Sequence, residues 1–119
     1  MLISTFPSED IAASTARTLV ESGLCACASI FPMRSIYTWK GAISDEKEFS
    51  VIFKTSAASA ASLKKEILRV HPYEVPEIIE LGVASASRKY LEWVAQSTQA
   101  VAQKRNNSAK GRNPQANVR

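Results

Sequence analysis

The sequence predicts an α+β fold, in which an antiparallel β-sheet packs against α-helices. Three observations support this prediction. Apolar residues recur with a helical period of about 3.6 in some segments, and they alternate with a period of two in others. Turn signals containing Gly or Pro separate these segments, so the elements can be counted. The chain has 119 residues, of which 45% are hydrophobic, a length and composition that suit one globular domain.

The chain begins with a predicted strand followed by a predicted helix. Leu2–Phe6 is short, apolar and partly β-branched, which is typical of a strand. Ser8 is a candidate N-cap, and Glu9 and Asp10 place negative charge in the first helical turn. Gly23 is predicted to end the helix. The apolar face of this helix is expected to contain Ala12, Ala16, Leu19 and Val20.

A long β-hairpin is predicted next. Leu24–Trp39 is rich in β-formers, and Pro32 within it is expected to cause a bend or bulge at a position that is locally edge-like. Lys40 and Gly41 give the turn, and Ile43–Thr55 returns as the second arm. The side chains of this second arm are expected to alternate, with Phe49, Val51 and Phe53 on one face and Ser50, Ile52 and Lys54 on the other.

The remaining elements complete a known topology. Ser56–Val70 predicts a second helix, and Pro76–Val83 predicts a last strand. Ser87 can cap a C-terminal helix whose buried stripe is expected to contain Leu91, Val94, Ala95 and Thr98. The order β-α-β-β-α-β is the ferredoxin-like pattern, here with an extra C-terminal helix. One face of such a sheet carries the two main helices and the other face is open.

Charge and composition divide the chain into a domain over residues 1–99 and a tail over residues 100–119. All eleven acidic residues and ten of the fifteen Lys and Arg residues lie before residue 100, so the domain has a net charge of −1 although the whole chain has +4. The tail is basic and lacks an apolar period, and its composition predicts disorder. We therefore expect no nucleic acid partner for the domain.

Three further expectations concern surroundings and assembly. The sequence has no run of 18 apolar residues, so no membrane span is expected. The first ten residues do not resemble a secretory signal, and two free cysteines suit a reducing, cytoplasmic location. The hairpin from residue 25 to residue 55 carries apolar side chains on both faces, which a monomer would leave exposed. We therefore expect a homo-oligomer.

Few residues are candidates for metal chemistry. Cys25 and Cys27 would share one face of a strand, where two thiolates could bind Cu(I) or Zn(II). The favoured alternative is that they are small buried apolar residues, which is the more common behaviour of cysteine. His71 is the only histidine, and it could be a metal ligand, a proton carrier or a hydrogen-bonded structural residue.

Other candidates suit the binding of a small ligand. Tyr37 and Trp39 form an aromatic pair on one strand face, suited to packing or to stacking on a ligand. Glu74 and Glu77 could pair with Lys54, bind a cation, or simply be solvated residues at the start of a strand. Asp45, Glu46 and Glu48 are expected to form a charged hairpin tip. One histidine gives no basis for a hydrolase triad, and the four glycines form no phosphate-binding loop.

Several stretches, taken together, closely resemble the CutA family of divalent-cation tolerance proteins over residues 2–98. They are Cys27, SIYTWKG at Ser35–Gly41, Lys54 with Thr55, HPYEVPEI at His71–Ile78, and YLEWV at Tyr90–Val94. The resemblance implies a ferredoxin-like homotrimer linked to tolerance of copper and other divalent metals. It also implies a likeness to PII signalling proteins, which bind effectors in clefts between subunits, and it implies no enzymatic reaction.

Matched residue by residue, the family signature falls on Cys27, Tyr37, Trp39, Lys54, His71, Tyr73, Glu74, Pro76 and Glu77. The chain departs from the family pattern at Cys25, Ser29 and Gly82, and in a shortened Pro32–Tyr37 segment. Pro72 and Pro76 are expected to fix a rigid connector that contains His71, Tyr73, Glu74 and Glu77. We expect this connector to line a cleft between subunits, with Lys54 nearby.

Three functions follow as alternatives. The first is a trimeric cytoplasmic protein that binds copper, another divalent metal or a small effector in its clefts. The second is a PII-like module in which an anion or metabolite meets Lys54 and metal has no physiological role. The third is a small acid–base enzyme that uses Glu74 with Tyr73 or His71.

Overall fold

The computed structural model describes residues 1–98 and has the predicted element order. The strands and helices are β1 (Leu2–Phe6), α1 (Glu9–Glu21), β2 (Cys27–Trp39), β3 (Ala42–Lys54), α2 (Ala57–Val70) and β4 (Ile78–Glu80), and residues 88–98 form a further helix, α3. The predicted tail, residues 100–119, lies outside the described residues. No helix within residues 1–98 combines the length and the apolar character needed to cross a membrane.

The four strands form one antiparallel sheet in the order β2-β3-β1-β4, so the ferredoxin-like topology is confirmed. One sheet face, here called the helix face, carries the hydrophobic core. The core joins Leu2 and Phe6 of β1 and Val51 and Phe53 of β3 to residues of both main helices, Ala12, Ala16, Leu19, Leu63 and Ile67. The opposite side of the sheet is called the open face. Lys54 lies on the open face, opposite the phenylalanines, as the alternation predicts.

Helix α1 begins and ends at the predicted residues. The Ser8 side chain accepts a hydrogen bond of 3.2 Å from the Ile11 amide, which satisfies one free N–H of the first turn. Gly23 adopts a φ of 77°, a backbone conformation that favours glycine after a helix. The expected burial of Val20 is wrong, because its side chain remains 37% exposed at the margin of the helix.

The hairpin is more regular than the sequence suggested, and its first arm is shorter, because β2 begins at Cys27 and not at Leu24. Lys40 and Gly41 have φ values of 49° and 78°, which are the two positive φ angles of a type I′ turn. Pairing continues one residue to one from Trp39 and Ala42 at the turn to Cys27 and Lys54, so the bulge expected at Pro32 is absent. Strand β2 is an edge strand, as expected, and an edge tolerates a proline that faces away from its neighbour.

The last strand is shorter than predicted. Only Ile78–Glu80 pairs with β1, and a pair of backbone hydrogen bonds between Met1 and Leu81 ends the ladder. Between Leu81 and residue 98 the chain pairs with no strand, because β1 begins at Leu2. The predicted extension to Val83 is therefore wrong, although the alternation that suggested it is present in the sequence.

Helix α3 packs through fewer residues than its pattern suggested. Val94 and Thr98 are buried, and the Thr98 hydroxyl lies 2.9 Å from the Ser56 hydroxyl at the start of α2. Leu91 is 48% exposed and Ala95 is also exposed, so these two predicted core positions are wrong for the single chain. In its described part, α3 is buried mainly at Val94, Ser97 and Thr98.

Candidate functional site

The connector between α2 and β4, residues 71–77, is fixed to the sheet by His71. The His71 ring stacks on Phe6, with the ring centroids 4.5 Å apart. Its Nε2 lies 2.9 Å from the Thr5 carbonyl oxygen, and its Nδ1 accepts a 3.1 Å hydrogen bond from the Tyr73 amide. A neutral imidazole has one donor and one acceptor, so Nε2–H donates to Thr5 and both ring nitrogens are used. Burial lowers the pKa of His71, which favours this neutral form.

This arrangement gives His71 a structural role. The sequence left open whether the residue is a metal ligand, a proton carrier or a hydrogen-bonded structural residue. In the chain it joins the connector to β1 through one hydrogen bond to Thr5 and a ring contact with Phe6, and it accepts a second hydrogen bond from within the connector. A metal ion bound to either nitrogen would displace one of these hydrogen bonds.

Tyr73 attaches the connector to β3. Its hydroxyl donates a 2.7 Å hydrogen bond to Oε2 of Glu48, and Glu48 is only 7% exposed. Burial raises the pKa of Tyr73 well above its usual range, and the hydrogen bond to Glu48 adds to this effect. The phenol is therefore a stable donor to the carboxylate at neutral pH.

Glu48 is the site residue that the sequence interpretation missed. Its position near Asp45 and Glu46 suggested a charged hairpin tip, exposed to solvent. The strand alternation contained the signal, because Glu48 shares the open face with Ser50 and Lys54 and lies well inside the hairpin. What the alternation could not show is that the connector covers this stretch of β3.

A cavity of about 740 Å³ lies between the connector and the outer part of the hairpin on the open face. We call it the aromatic–acidic cavity. Its lining residues are Thr5, Ser35, Ile36, Tyr37, Thr38, Trp39, Ser44, Glu46, Glu48, Tyr73, Glu74, Val75 and Glu77. Five predicted site residues are thus brought together: Tyr37, Trp39, Tyr73, Glu74 and Glu77. Among the described residues that line it, four are glutamates and none is Lys or Arg.

Lys54 lies elsewhere on the open face. Its ammonium group donates to the Ser29 hydroxyl and lies 3.9 Å from the Cys27 sulfur, across the first pair of the hairpin ladder. Glu48 is six residues away along β3, a separation of about 20 Å in an extended strand. Lys54 and Cys27 are therefore not brought to the connector within one chain.

The two cysteines lie on opposite sides of the sheet. Cys25 precedes β2, is 1% exposed and belongs to the hydrophobic core, whereas Cys27 contacts Lys54 on the open face. The expectation that they share a strand face is wrong because β2 begins only at Cys27. Burial, with a smaller effect of Cys27, raises the pKa of Cys25 to about 12, so the thiol stays protonated.

The donor atoms present fit hard or borderline cations better than a soft metal ion. The sulfur and imidazole donors Cys25, Cys27 and His71 lie in three separate places, whereas four carboxylates line one cavity. Carboxylate oxygen suits ions such as Mg²⁺, Mn²⁺ or Zn²⁺. Within residues 1–98 no three His, Cys, Asp or Glu side chains converge in a preformed metal centre.

Comparison with known proteins identifies the family. A family model described as the CutA1 divalent ion tolerance protein matches residues 1–97. The chain belongs to this family. A divalent-cation tolerance protein CutA of Thermus thermophilus is 38% identical over 99 residues, which cover 82% of this chain and 96% of that protein.

Solved structures of CutA proteins confirm the fold. The Pyrococcus horikoshii CutA1 with the mutation D60A matches with a TM-score of 0.79 and 38% identity, covering 82% of this chain and 98% of that one. A PII-like protein CutA from Nostoc sp. PCC 7120 matches with a TM-score of 0.78 and 33% identity, covering 82% and 94%. The chain thus shares the fold of solved CutA structures, one of which is named PII-like. Its HPYEVPE stretch, residues 71–77, forms the connector.

Proposed function

We propose that this CutA protein serves divalent-cation tolerance without enzymatic activity, as a cytoplasmic homotrimer that binds a divalent cation in the aromatic–acidic cavity. The observation that carries the proposal is Glu48, a carboxylate that is 7% exposed and lines a cavity with three further glutamates. Four carboxylates around one cavity make its walls negative, and a bound cation would offset that charge. Membership of the divalent ion tolerance family supports the choice of ligand.

The proposed trimer is supported by apolar surface on the hairpin. Ile36 and Ile43 are 64% and 72% exposed in the outer part of the hairpin, and Ile43 lies on the helix face beyond the reach of the helices. Phe31, on the open face of the edge strand β2, is 42% exposed. A closed ring of identical subunits would cover such surface and protect the strand edges.

Copper fits the same proposal as Cu(II) bound by carboxylates. A Cu(I) site would need soft ligands, and Cys27 has a Lys54 ammonium group 3.9 Å from its sulfur, which opposes a second positive charge. Binding at His71 would break a hydrogen bond of the connector. The cavity is therefore the better supported location for a divalent ion.

Isothermal calorimetry with Zn(II) and Cu(II) tests the proposal. We expect the Glu48→Gln and Glu74→Gln variants to bind about tenfold more weakly or worse, because each loses one ligand charge. Cys27→Ser and, as a matched carboxylate control outside the cavity, Glu21→Gln should bind like the wild type. If Cys27→Ser or His71→Ala abolishes binding while the cavity variants do not, the cavity is the wrong site. Failure of the wild type to bind either ion would overturn the proposed metal role.

A PII-like small-molecule function is the second candidate. The observation that favours it is the cavity's size, because about 740 Å³ greatly exceeds the space that a single ion needs and falls in the range of small-molecule pockets. Tyr37 and Trp39 add aromatic surface to its wall. Calorimetry with a metabolite panel distinguishes this candidate from the first. Turnover of any compound in the panel would instead support an acid–base enzyme.

A further inference from the structure

The aromatic–acidic cavity has two kinds of wall. Glu46 and Glu48 lie two residues apart on β3, about 7 Å along the strand, and Glu74 and Glu77 lie on the connector. The aromatic residues Tyr37 and Trp39 of β2 line the same space. Negative charge is thus distributed over two elements, with aromatic surface from a third.

The Glu48 carboxylate has unused hydrogen-bonding capacity at this cavity. Oε2 accepts the hydrogen bond from Tyr73, whereas Oε1 accepts none from the described residues. The Glu48 residue is only 7% exposed. Within residues 1–98, every fully buried side-chain nitrogen or oxygen has a hydrogen-bond partner, so Oε1 is not fully buried. Oε1 therefore remains accessible from the cavity, where it can accept a hydrogen bond from a positively charged donor.

We propose that the cavity binds a linear polyamine, with its ammonium groups at the separated carboxylates and its methylene chain against Tyr37 and Trp39. This inference rests on the small-molecule function proposed for the same cavity, and it names the ligand class. Ammonium N–H groups donate to Glu48 Oε1, and ammonium groups are also attracted to the faces of aromatic rings. The methylenes cover apolar ring surface that would otherwise face water.

Other ligand classes match these features less well. An anion would meet four glutamates and no cationic side chain among the described lining residues. A quaternary ammonium ion has no N–H group to donate to Glu48. A compact divalent ion can occupy only one part of a cavity this large, and it leaves the aromatic surface unused. Several charges on a flexible apolar chain match the distributed carboxylates.

Calorimetry of the full chain with spermidine, in buffer freed of metal ions, tests the inference. We expect one spermidine per chain, with affinity falling as salt is added. Glu48→Gln and Glu74→Gln should each weaken binding about tenfold, because each removes a charged hydrogen-bond acceptor. Trp39→Ala should weaken it roughly threefold by removing a ring face. The control variant Glu21→Gln should leave the affinity unchanged, and a neutral diol of similar length should not bind.

Two comparisons make the outcome decisive. Glu74 is exposed, so Glu74→Gln should fold normally even if Glu48→Gln unfolds. Absence of spermidine binding, or equal binding by the wild type and the Glu74→Gln variant, overturns the inference. Binding of Zn(II) without spermidine supports the metal proposal and overturns this one. If the protein binds spermidine but neither Zn(II) nor Cu(II), this inference is supported and the metal proposal is overturned. Competition between spermidine and Zn(II) supports this inference and indicates that both bind in the same cavity.

Discussion

The inner and outer halves of the hairpin belong to the same two continuous strands but have very different burial. On the helix face, Val51 and Phe53 in the inner half of β3 are 0% exposed, whereas Ile43 in the outer half is 72% exposed. All three belong to one face of one continuous strand. The helices cover only the inner half. A period-two pattern therefore identifies the residues that share a face, but it does not show whether another element covers that face.

The connector, residues 71–77, contacts the sheet beside both halves of the hairpin. His71 contacts Phe6 and Thr5 beside the inner half, and Tyr73, two residues later, binds Glu48 toward the outer half. On the open face the outer half thus gains a covering segment and a cavity. On its helix face it has no covering segment within residues 1–98, and this is the surface for which we propose a neighbouring subunit.

The largest effect is expected in the inner half. Phe53→Ala should lower the free energy of unfolding by about 3–5 kcal/mol, because it removes a fully buried ring and leaves a cavity in the core. The exposed outer-half variant Thr38→Ala should change it by about 0.5 kcal/mol or less. Denaturant unfolding at one fixed protein concentration checks both values. Equal effects of the two variants would show that the halves do not differ in the way the burial indicates.

A smaller effect, on assembly, is expected in the outer half. The wild type should give three times the chain mass by light scattering at micromolar concentration. Ile43→Asp should weaken association roughly thirtyfold or more, because it places a charge in the proposed interface. The control Ile11→Asp changes an isoleucine that is 37% exposed on α1 and should leave the mass unchanged. A monomeric wild type would contradict the interface and leave the outer isoleucines without an explanation.

The smallest effect concerns the link between the halves. Burial lowers the pKa of His71 in the folded chain, so the unfolded chain binds the proton more readily. Stability should therefore be constant above about pH 6.5 and fall as the pH drops toward the folded-state pKa. Once protonated, Nδ1 of His71 also cannot accept the hydrogen bond from the Tyr73 amide. His71→Gln should remove the part of the pH dependence that comes from His71. The variant should therefore lose less unfolding free energy than the wild type between about pH 7.5 and pH 5. An unchanged loss would assign the pH dependence to other groups.

Local patterns predicted most of the fold. The Ser8 cap, the Gly23 stop and the Lys40–Gly41 turn are each set by neighbouring residues, and the structure has all three. The errors arose where distant contacts decide. Strand β4 ends where β1 supplies no more partners, and Leu91 precedes Val94, Ser97 and Thr98, the residues through which the described part of α3 is buried.

The candidate site was predictable only in part, for the same reason. The connector and the aromatic pair could be found because the residues of each are close in sequence and rigidly spaced. Glu48 was missed because its environment depends on Tyr73, 25 positions away. Lys54 was expected near the connector, but the distance along β3 separates them within one chain. The pairing of such residues follows from topology and register, which a single sequence specifies only indirectly.

The buried thiol of Cys25 can serve as a probe of local unfolding in the core. At 1% exposure, and with a pKa raised to about 12, Cys25 can react with a thiol reagent only during transient exposure of the core. In a Cys27→Ser background the labelling rate would report how often the junction between α1 and β2 opens. Comparing the labelling rates with and without ligand would show whether ligand binding in the cavity, at the far end of the sheet, changes how often the core opens.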